Sequence, residues 1–212
     1  MKTNISEIAA RMAVLEQELE SELAKDLEEN RRRFNYTLEK GRIAFDCGMC
    51  AVHRKLKKGW VKFIWDAPAG SLLVAAPIIY SLTLPLVLLD AWLWVYQAVC
   101  FRIYGIERVD RSRYVRLDRG HLQYLNWIEG FNCDYCGYAN GLIAYAREVS
   151  SRTEQYFCPI KHAQRCVGPH ARYENFTDFG DGEAYRKNWK KLREDLRSDA
   201  PDAPSAQKAG GI

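Results

Sequence analysis

Hydrophobic residues recur at alternating three- and four-residue steps near the start of the chain. The first five are Ile5, Ile8, Met12, Leu15 and Leu19. This spacing is typical of an amphipathic, coiled-coil-like helix, which we assign to residues 1–45. The register slips by one residue at Glu22, and Leu23 and Leu27 continue it one place later. The pattern predicts that residues 3–40 either form a homo-oligomer or contact a membrane-complex partner, or else pack on their own chain.

The second block is almost wholly apolar. From Ala67 to Phe101 the only formal charge is Asp90, and a run of this kind predicts a membrane segment. As one straight helix it would be about 50 Å long, against a hydrocarbon core of roughly 30 Å. Because Pro77 and Pro85 interrupt helical hydrogen bonding, we predict a membrane helical hairpin over residues 67–104, with its tip between Pro85 and Asp90. A single kinked span is the alternative.

Charge is distributed unevenly around this run. Residues 46–66 form a basic juxtamembrane segment that we expect to contact anionic lipid headgroups through Arg54, Lys55, Lys57, Lys58 and Lys62. Arginines also follow the run, so the positive-inside rule predicts that both ends are cytoplasmic. The adjoining apolar run argues against nucleic acid as the partner of this positive charge.

Residues 105–185 carry the pattern of a small cytosolic Cys/His module. The first thirty residues are polar and acidic rather than a secretory signal, so the thiols are expected in a reducing compartment. Cys133 and Cys136 follow Gly130, and Cys158 precedes Pro159, which favours a helix start one turn before His162. Three thiolates and one imidazole are typical of tetrahedral zinc. The predicted metal ligands are therefore Cys133, Cys136, Cys158 and His162.

This site requires a particular chain path. One unbroken helix between Cys136 and Cys158 would keep the ligands apart, so the chain must break near Ser150 and Ser151. Cys166 is the alternative ligand, and a four-sulfur set would also suit iron or an iron–sulfur cluster.

Two further segments complete the chain. Cys47, Cys50 and His53 form a second possible half-site, whose role the sequence leaves open. Residues 186–212 predict a charged helix followed by a disordered tail rich in Pro, Ala and Gly.

Several segments together resemble a known family. They read "APIIYSLTLPLVLLD", "NCDYCGYANGLIAYAREV", "RTEQYFCPIKHA" and "FGDGEAYR". The chain resembles an uncharacterised bacterial family of small membrane-associated proteins with a CxxC…CPIKHA motif. The resemblance covers roughly residues 70–186 and implies location at the bacterial inner membrane, but no activity.

Together these features predict a mainly α-helical, membrane-anchored protein that is not an enzyme. The expected function is structural, as a scaffolding or accessory subunit with a structural zinc site, acting through protein–protein association at the cytoplasmic face. An iron-binding electron-transfer module is the alternative. A catalytic zinc is disfavoured because the sulfur-rich ligand set lacks an accompanying nucleophile–base pair.

Overall fold

A computed structural model describes residues 2–39, 42–68 and 70–198, and these are mainly helical, as predicted. The α-helices are α1 (Lys2–Arg33), α2 (Cys47–Leu56), α3 (Trp60–Trp65), α4 (Ala76–Ser81), α5 (Thr83–Tyr96), α6 (Arg102–Tyr104), α7 (Trp127–Phe157) and α8 (Gly182–Ser198). The strands are β1 (Tyr36–Glu39) and β2 (Arg42–Phe45). The tail predicted to be disordered, residues 199–212, lies outside the described residues.

Helix α1 is shorter than the sequence predicted. It ends at Arg33, and Asn35 adopts a left-handed conformation with φ of 46°, a common way to end a helix. The residues that follow pair as an antiparallel hairpin, with Tyr36 opposite Phe45 and Leu38 opposite Ile43. Aromatic and β-branched residues favour strands. The predicted helix over residues 1–45 is therefore wrong beyond Arg33.

The apolar run forms one helix instead of a hairpin. A helix continuous from Leu73 to Tyr104 contains α4, α5 and α6. The predicted tip between Pro85 and Asp90 lies inside α5, so the predicted turn is wrong. Pro77 lies in the first turn of α4, which follows a π-helical turn at Ser71–Ala75. Pro85 lies in the first turn of α5, which follows an irregular turn at Leu82. In a first turn the missing N–H costs little.

Helix α7 is also continuous where the sequence predicted breaks. Asn126 begins it with a capping box: its side chain accepts from the backbone N–H of Glu129, whose carboxylate accepts from the N–H of Asn126. Gly130 lies within the helix and does not end it. The helix has no break near Ser151. The Ser151 hydroxyl donates to the Glu148 carbonyl oxygen, and the Arg152 guanidinium donates to the Glu148 carboxylate, so both contacts support the helix one turn earlier.

The long apolar helix and α7 run side by side in the same direction. Going along both helices, Tyr135 donates to the Ile79 carbonyl oxygen, Tyr96 lies 3.1 Å from Thr153 (Oη to Oγ1), and the Tyr104 ring contacts Tyr156. Between the two helices, the Gln97 side-chain amide donates a hydrogen bond to the Tyr145 hydroxyl. The principal core lies along this contact and contains Leu93, Phe101, Leu142, Tyr145 and Val149.

Because the two helices are parallel, residues 105–126 must return along α7 in the opposite direction. This return segment passes over glycines. A Cβ on Gly141 would lie 2.5 Å from the Tyr114 carbonyl oxygen, and one on Gly137 would lie 3.0 Å from the Arg116 carbonyl oxygen. The N–H of Gly120 donates to Asp134. The glycines of α7 thus allow direct contact between its backbone and the return segment.

Helix α8 packs on the end of this unit through Leu192 and Leu196, both buried. The Gln155 side chain donates to the Leu192 carbonyl oxygen, and the backbone N–H of Glu107 donates to the Leu196 carbonyl oxygen. The Arg193 guanidinium lies 3.7 Å from the centre of the Trp189 ring. The charged helix predicted from residue 186 therefore begins at Gly182 and contributes to the core.

Candidate functional site

The four predicted metal ligands lie at opposite ends of α7. Cys133 and Cys136 are one turn apart in its first third, whereas Cys158 caps its last turn. At about 1.5 Å per residue, the unbroken helix separates Cys136 from Cys158 by roughly 33 Å. One ion is bound at about 2.3 Å from each sulfur, so these residues do not share an ion in this structure.

The later residues of the predicted site are also not gathered around one point. Pro159 starts no helix: Ile160 forms a bridge with Thr177 instead. The N–H of His162 donates to the Tyr173 hydroxyl, and its ring stacks on that of Tyr173. Cys166 is exposed. Among the described residues, no group of three or more His, Cys, Asp or Glu side chains is arranged to hold a metal ion.

Cys158 has a distinct environment. Partial burial raises the pKa of its thiol, and the nearby Glu154 carboxylate raises it further. Glu154 Oε2 also lies 2.9 Å from Nε2 of His170. A raised thiol pKa lowers the thiolate fraction, which is the nucleophilic and metal-binding form. Cys158 is therefore not activated toward either role.

Cys47, Cys50 and His53 lie on one face of α2. Cys47 is the first helical residue and is exposed, while Cys50 is half-buried and donates weakly to the Phe45 carbonyl oxygen at 3.6 Å. The His53 ring is 6% exposed, between the rings of Phe45 and Tyr124. Its Nδ1 is buried and has no hydrogen-bond partner among the described residues.

An extended exposed apolar surface lies on the long helix Leu73–Tyr104. By length and composition this helix can cross a membrane. One exposed row of this helix, the outer face, follows three- and four-residue steps, with Ser81 and Pro85 at the two positions between Ile78 and Leu88. The outer face comprises Val74, Ile78, Leu88, Trp92, Val95, Val99 and Ile103, whose side chains are 40–72% exposed.

The opposite row, the inner face, carries polar residues that contact the rest of the chain. Arg111 of the return segment binds Asp90 with two nitrogens, at 2.8 and 2.7 Å, and Tyr138 donates to the same carboxylate. Two helical turns after Asp90, the side-chain oxygen of Gln97 accepts a hydrogen bond from the backbone N–H of Val109. Sequence reasoning assigned Asp90 to a solvated turn, but a seven-residue spacing from Asp90 to Gln97 signals one helical face.

The basic segment lies on α2, α3 and their connection. Lys58 Nζ is 2.7 Å from the Asp66 carboxylate, and this hydrogen bond holds the pKa of Asp66 below its ordinary value. The other four predicted lipid-contacting side chains are exposed, as are Trp60 and Trp65. Positive charge and exposed indole rings therefore immediately precede the long apolar helix.

Comparison with protein-family models, with curated proteins and with solved structures found no match.

Proposed function

We propose that this protein is a membrane-anchored accessory or scaffolding subunit, held on the cytoplasmic face of a bacterial inner membrane by the outer face of its long helix. The observation that carries the proposal is a long row of exposed apolar side chains, interrupted by Ser81 and Pro85, on a helix whose opposite row packs on its own chain. A patch of this kind is a typical site of membrane or protein contact.

The contacts of the inner face favour an in-plane position over a spanning one. Crossing the hydrocarbon core takes about 20 residues, and any such stretch of Leu73–Tyr104 includes Asp90 and its neighbour Arg111. Because α7 runs beside the long helix, its charged residues would also enter the hydrocarbon core. A span near the start of the long helix would bring in Asp134, and a span near its end would bring in Glu148 and Arg152.

Charged side chains at the bilayer centre cost about 2.5–3.5 kcal/mol each. A helix lying in the interface avoids this cost, since only the outer face enters the acyl region. The charges of α7 and of the return segment then stay in water. The elements on either side of the helix also remain on one side of the membrane, as the positive-inside rule predicts.

Two features support the scaffolding part of the proposal. The basic residues of α2 and α3 add electrostatic attraction to anionic headgroups, worth about 1 kcal/mol each near the surface. In α1 the apolar seam, including Met12, Leu15 and Leu19, is more than half exposed and is not covered by the described remainder of the chain. We assign this seam to association with a second copy of the chain.

Vesicle flotation tests the membrane contact. Trp92→Asp introduces a charge into the outer face and removes about 2–3 kcal/mol of apolar burial, so we expect at least tenfold weaker binding to vesicles of phosphatidylglycerol and phosphatidylethanolamine. Leu19→Asp on α1 is the matched control, with similar exposure outside the outer face, and should bind vesicles normally but lose self-association by light scattering. Equal binding by wild type and Trp92→Asp would overturn the membrane role.

Labelling distinguishes the in-plane position from a span. In a variant whose native cysteines are serine, Leu73→Cys and Arg102→Cys mark the two ends of the helix at exposed positions that do not belong to the outer face. When protein is added to preformed vesicles, a membrane-impermeant maleimide should label both positions from outside. Protection of one end only would indicate a spanning helix.

A further inference from the structure

The two Cys-x-x-Cys pairs of this chain occupy different positions in their helices. Cys47 is the first residue of α2, directly after the strand β2 and the N-cap Asp46. Cys133 has helical residues on both sides, six residues inside α7. The local geometry therefore differs although the spacing is the same.

Position decides whether such a pair can bridge. Cβ atoms three residues apart on a helix are about 5–6 Å apart, whereas a disulfide needs about 3.5–4.5 Å. Cys47 can move toward Cys50, because the N–H groups of a first turn have no intrahelical partner and the preceding residue is extended. Cys133 is held by helical hydrogen bonds on both sides.

Exposure gives the two thiols of the first pair different roles. Cys47 is exposed at the N-terminus of α2. Cys50 is half-buried behind it. An outer thiol is accessible to a partner, and an inner thiol can then displace that partner.

His53 supplies a second, independent observation. It lies one turn after Cys50 on the same face, is 6% exposed, and keeps a buried Nδ1 without a hydrogen-bond partner among the described residues. An unsatisfied buried polar atom destabilises the folded chain, so a functional role would explain why it is retained. The role we assign to it is to accept the proton of the Cys50 thiol, which in this structure donates to the Phe45 carbonyl oxygen.

We propose that Cys47 and Cys50 form a redox-active dithiol that exchanges with disulfides at the membrane surface. The Cys47 thiol loses its proton and its sulfur attacks one sulfur of a partner disulfide, forming a mixed disulfide. The other partner sulfur leaves as a thiolate and takes up that proton. Cys50 loses its proton to His53 and attacks Cys47 Sγ. The second partner sulfur leaves as a thiolate and takes this proton from His53. The pair loses two electrons and two protons, and the partner disulfide gains them.

Full-length protein is equilibrated with glutathione buffers of graded ratio, then alkylated and analysed by peptide mass spectrometry. The expected result is an internal Cys47–Cys50 disulfide, with no disulfide between Cys133 and Cys136. Bridging of both pairs alike, or mixed glutathione disulfides without an internal bridge at Cys47 and Cys50, would overturn the proposal. A parallel experiment offers the disulfides of insulin in place of glutathione, to distinguish a protein partner from glutathione. Formation of the internal Cys47–Cys50 disulfide with either oxidant supports the exchange, and its absence with both overturns the proposal.

Variants separate the two steps. Cys50→Ser should trap Cys47 as a stable mixed disulfide, while Cys136→Ser, the matched control in α7, should leave the Cys47–Cys50 chemistry unchanged. His53→Phe keeps an aromatic ring beside Phe45 and Tyr124 and should slow resolution of the mixed disulfide at least tenfold, without slowing its formation. Equal slowing of both steps in a variant with wild-type circular dichroism would contradict the role of His53.

Discussion

Three glycines on α7 provide a graded test of how closely the return segment packs. The substitution is Gly→Ala at Gly130, Gly137 and Gly141, one at a time. A new Cβ on Gly141 would lie 2.5 Å from the Tyr114 carbonyl oxygen and 2.9 Å from the Val115 Cα. Both are backbone atoms, so the return segment must shift. On Gly130 the nearest atom is 3.5 Å away, an ordinary contact.

Two opposing terms set the magnitudes. Replacing glycine by alanine inside a helix gains up to about 1 kcal/mol, and overpacking costs about 1–3 kcal/mol. Because the atoms next to Gly141 are backbone atoms at 2.5 and 2.9 Å, its overpacking cost should lie at the upper end of this range, and Gly141→Ala should lose about 2 kcal/mol of unfolding free energy. Gly130→Ala should gain up to about 1 kcal/mol. Gly137→Ala, with its 3.0 Å approach, should fall between them.

Thermal unfolding followed by circular dichroism in mild detergent measures this order. For a chain of this size 1 kcal/mol corresponds to about 2–4 °C, so Gly141→Ala should melt about 4–8 °C below wild type and Gly130→Ala above it. A Gly141→Ala variant as stable as wild type, or one more stable than Gly130→Ala, would refute the close packing described here.

Two further predictions concern charged and thiol groups. Arg111→Ala should lower the unfolding free energy by about 1–3 kcal/mol, since it leaves the Asp90 carboxylate without its bidentate partner. In the same thermal melts, the double variant Asp90→Asn, Arg111→Ala should lose less unfolding free energy than the sum of the two single variants. Cys158 should react with iodoacetamide more slowly than Cys166 at pH 8, because its raised thiol pKa lowers the thiolate fraction, and Glu154→Gln should speed that reaction; an unchanged rate would contradict the electrostatic effect of Glu154.

Local sequence signals predicted the helical class but not where helices continue. The Met12–Leu19 spacing predicted a helix that the structure contains, and the unbroken apolar run predicted a segment long enough to cross a membrane. Proline and glycine were weighted as breaks. Pro85 is tolerated in a first turn, and Gly130 is retained within α7, so neither ends a helix.

The predicted metal ligands lie apart in this structure for a related reason. Spacing between cysteines gives no information on chain path, and the distance from Cys136 to Cys158 depends on whether the helix breaks at Ser151. The interaction of Arg152 with Glu148 and with the Glu107 carbonyl oxygen, from a segment 45 residues earlier, helps to hold that region helical. Such a tertiary contact cannot be seen in a local pattern.

The parallel pairing of the long helix with α7 also bears on how the chain is synthesised. The apolar helix is complete at Tyr104, but the surface that covers its inner face is not finished until Phe157. At about 5–20 residues per second, translation of that interval takes roughly 3–10 s. During this time the nascent polypeptide exposes a largely apolar helix whose inner face is not yet covered, so we expect contact with lipid or a chaperone to precede tertiary folding.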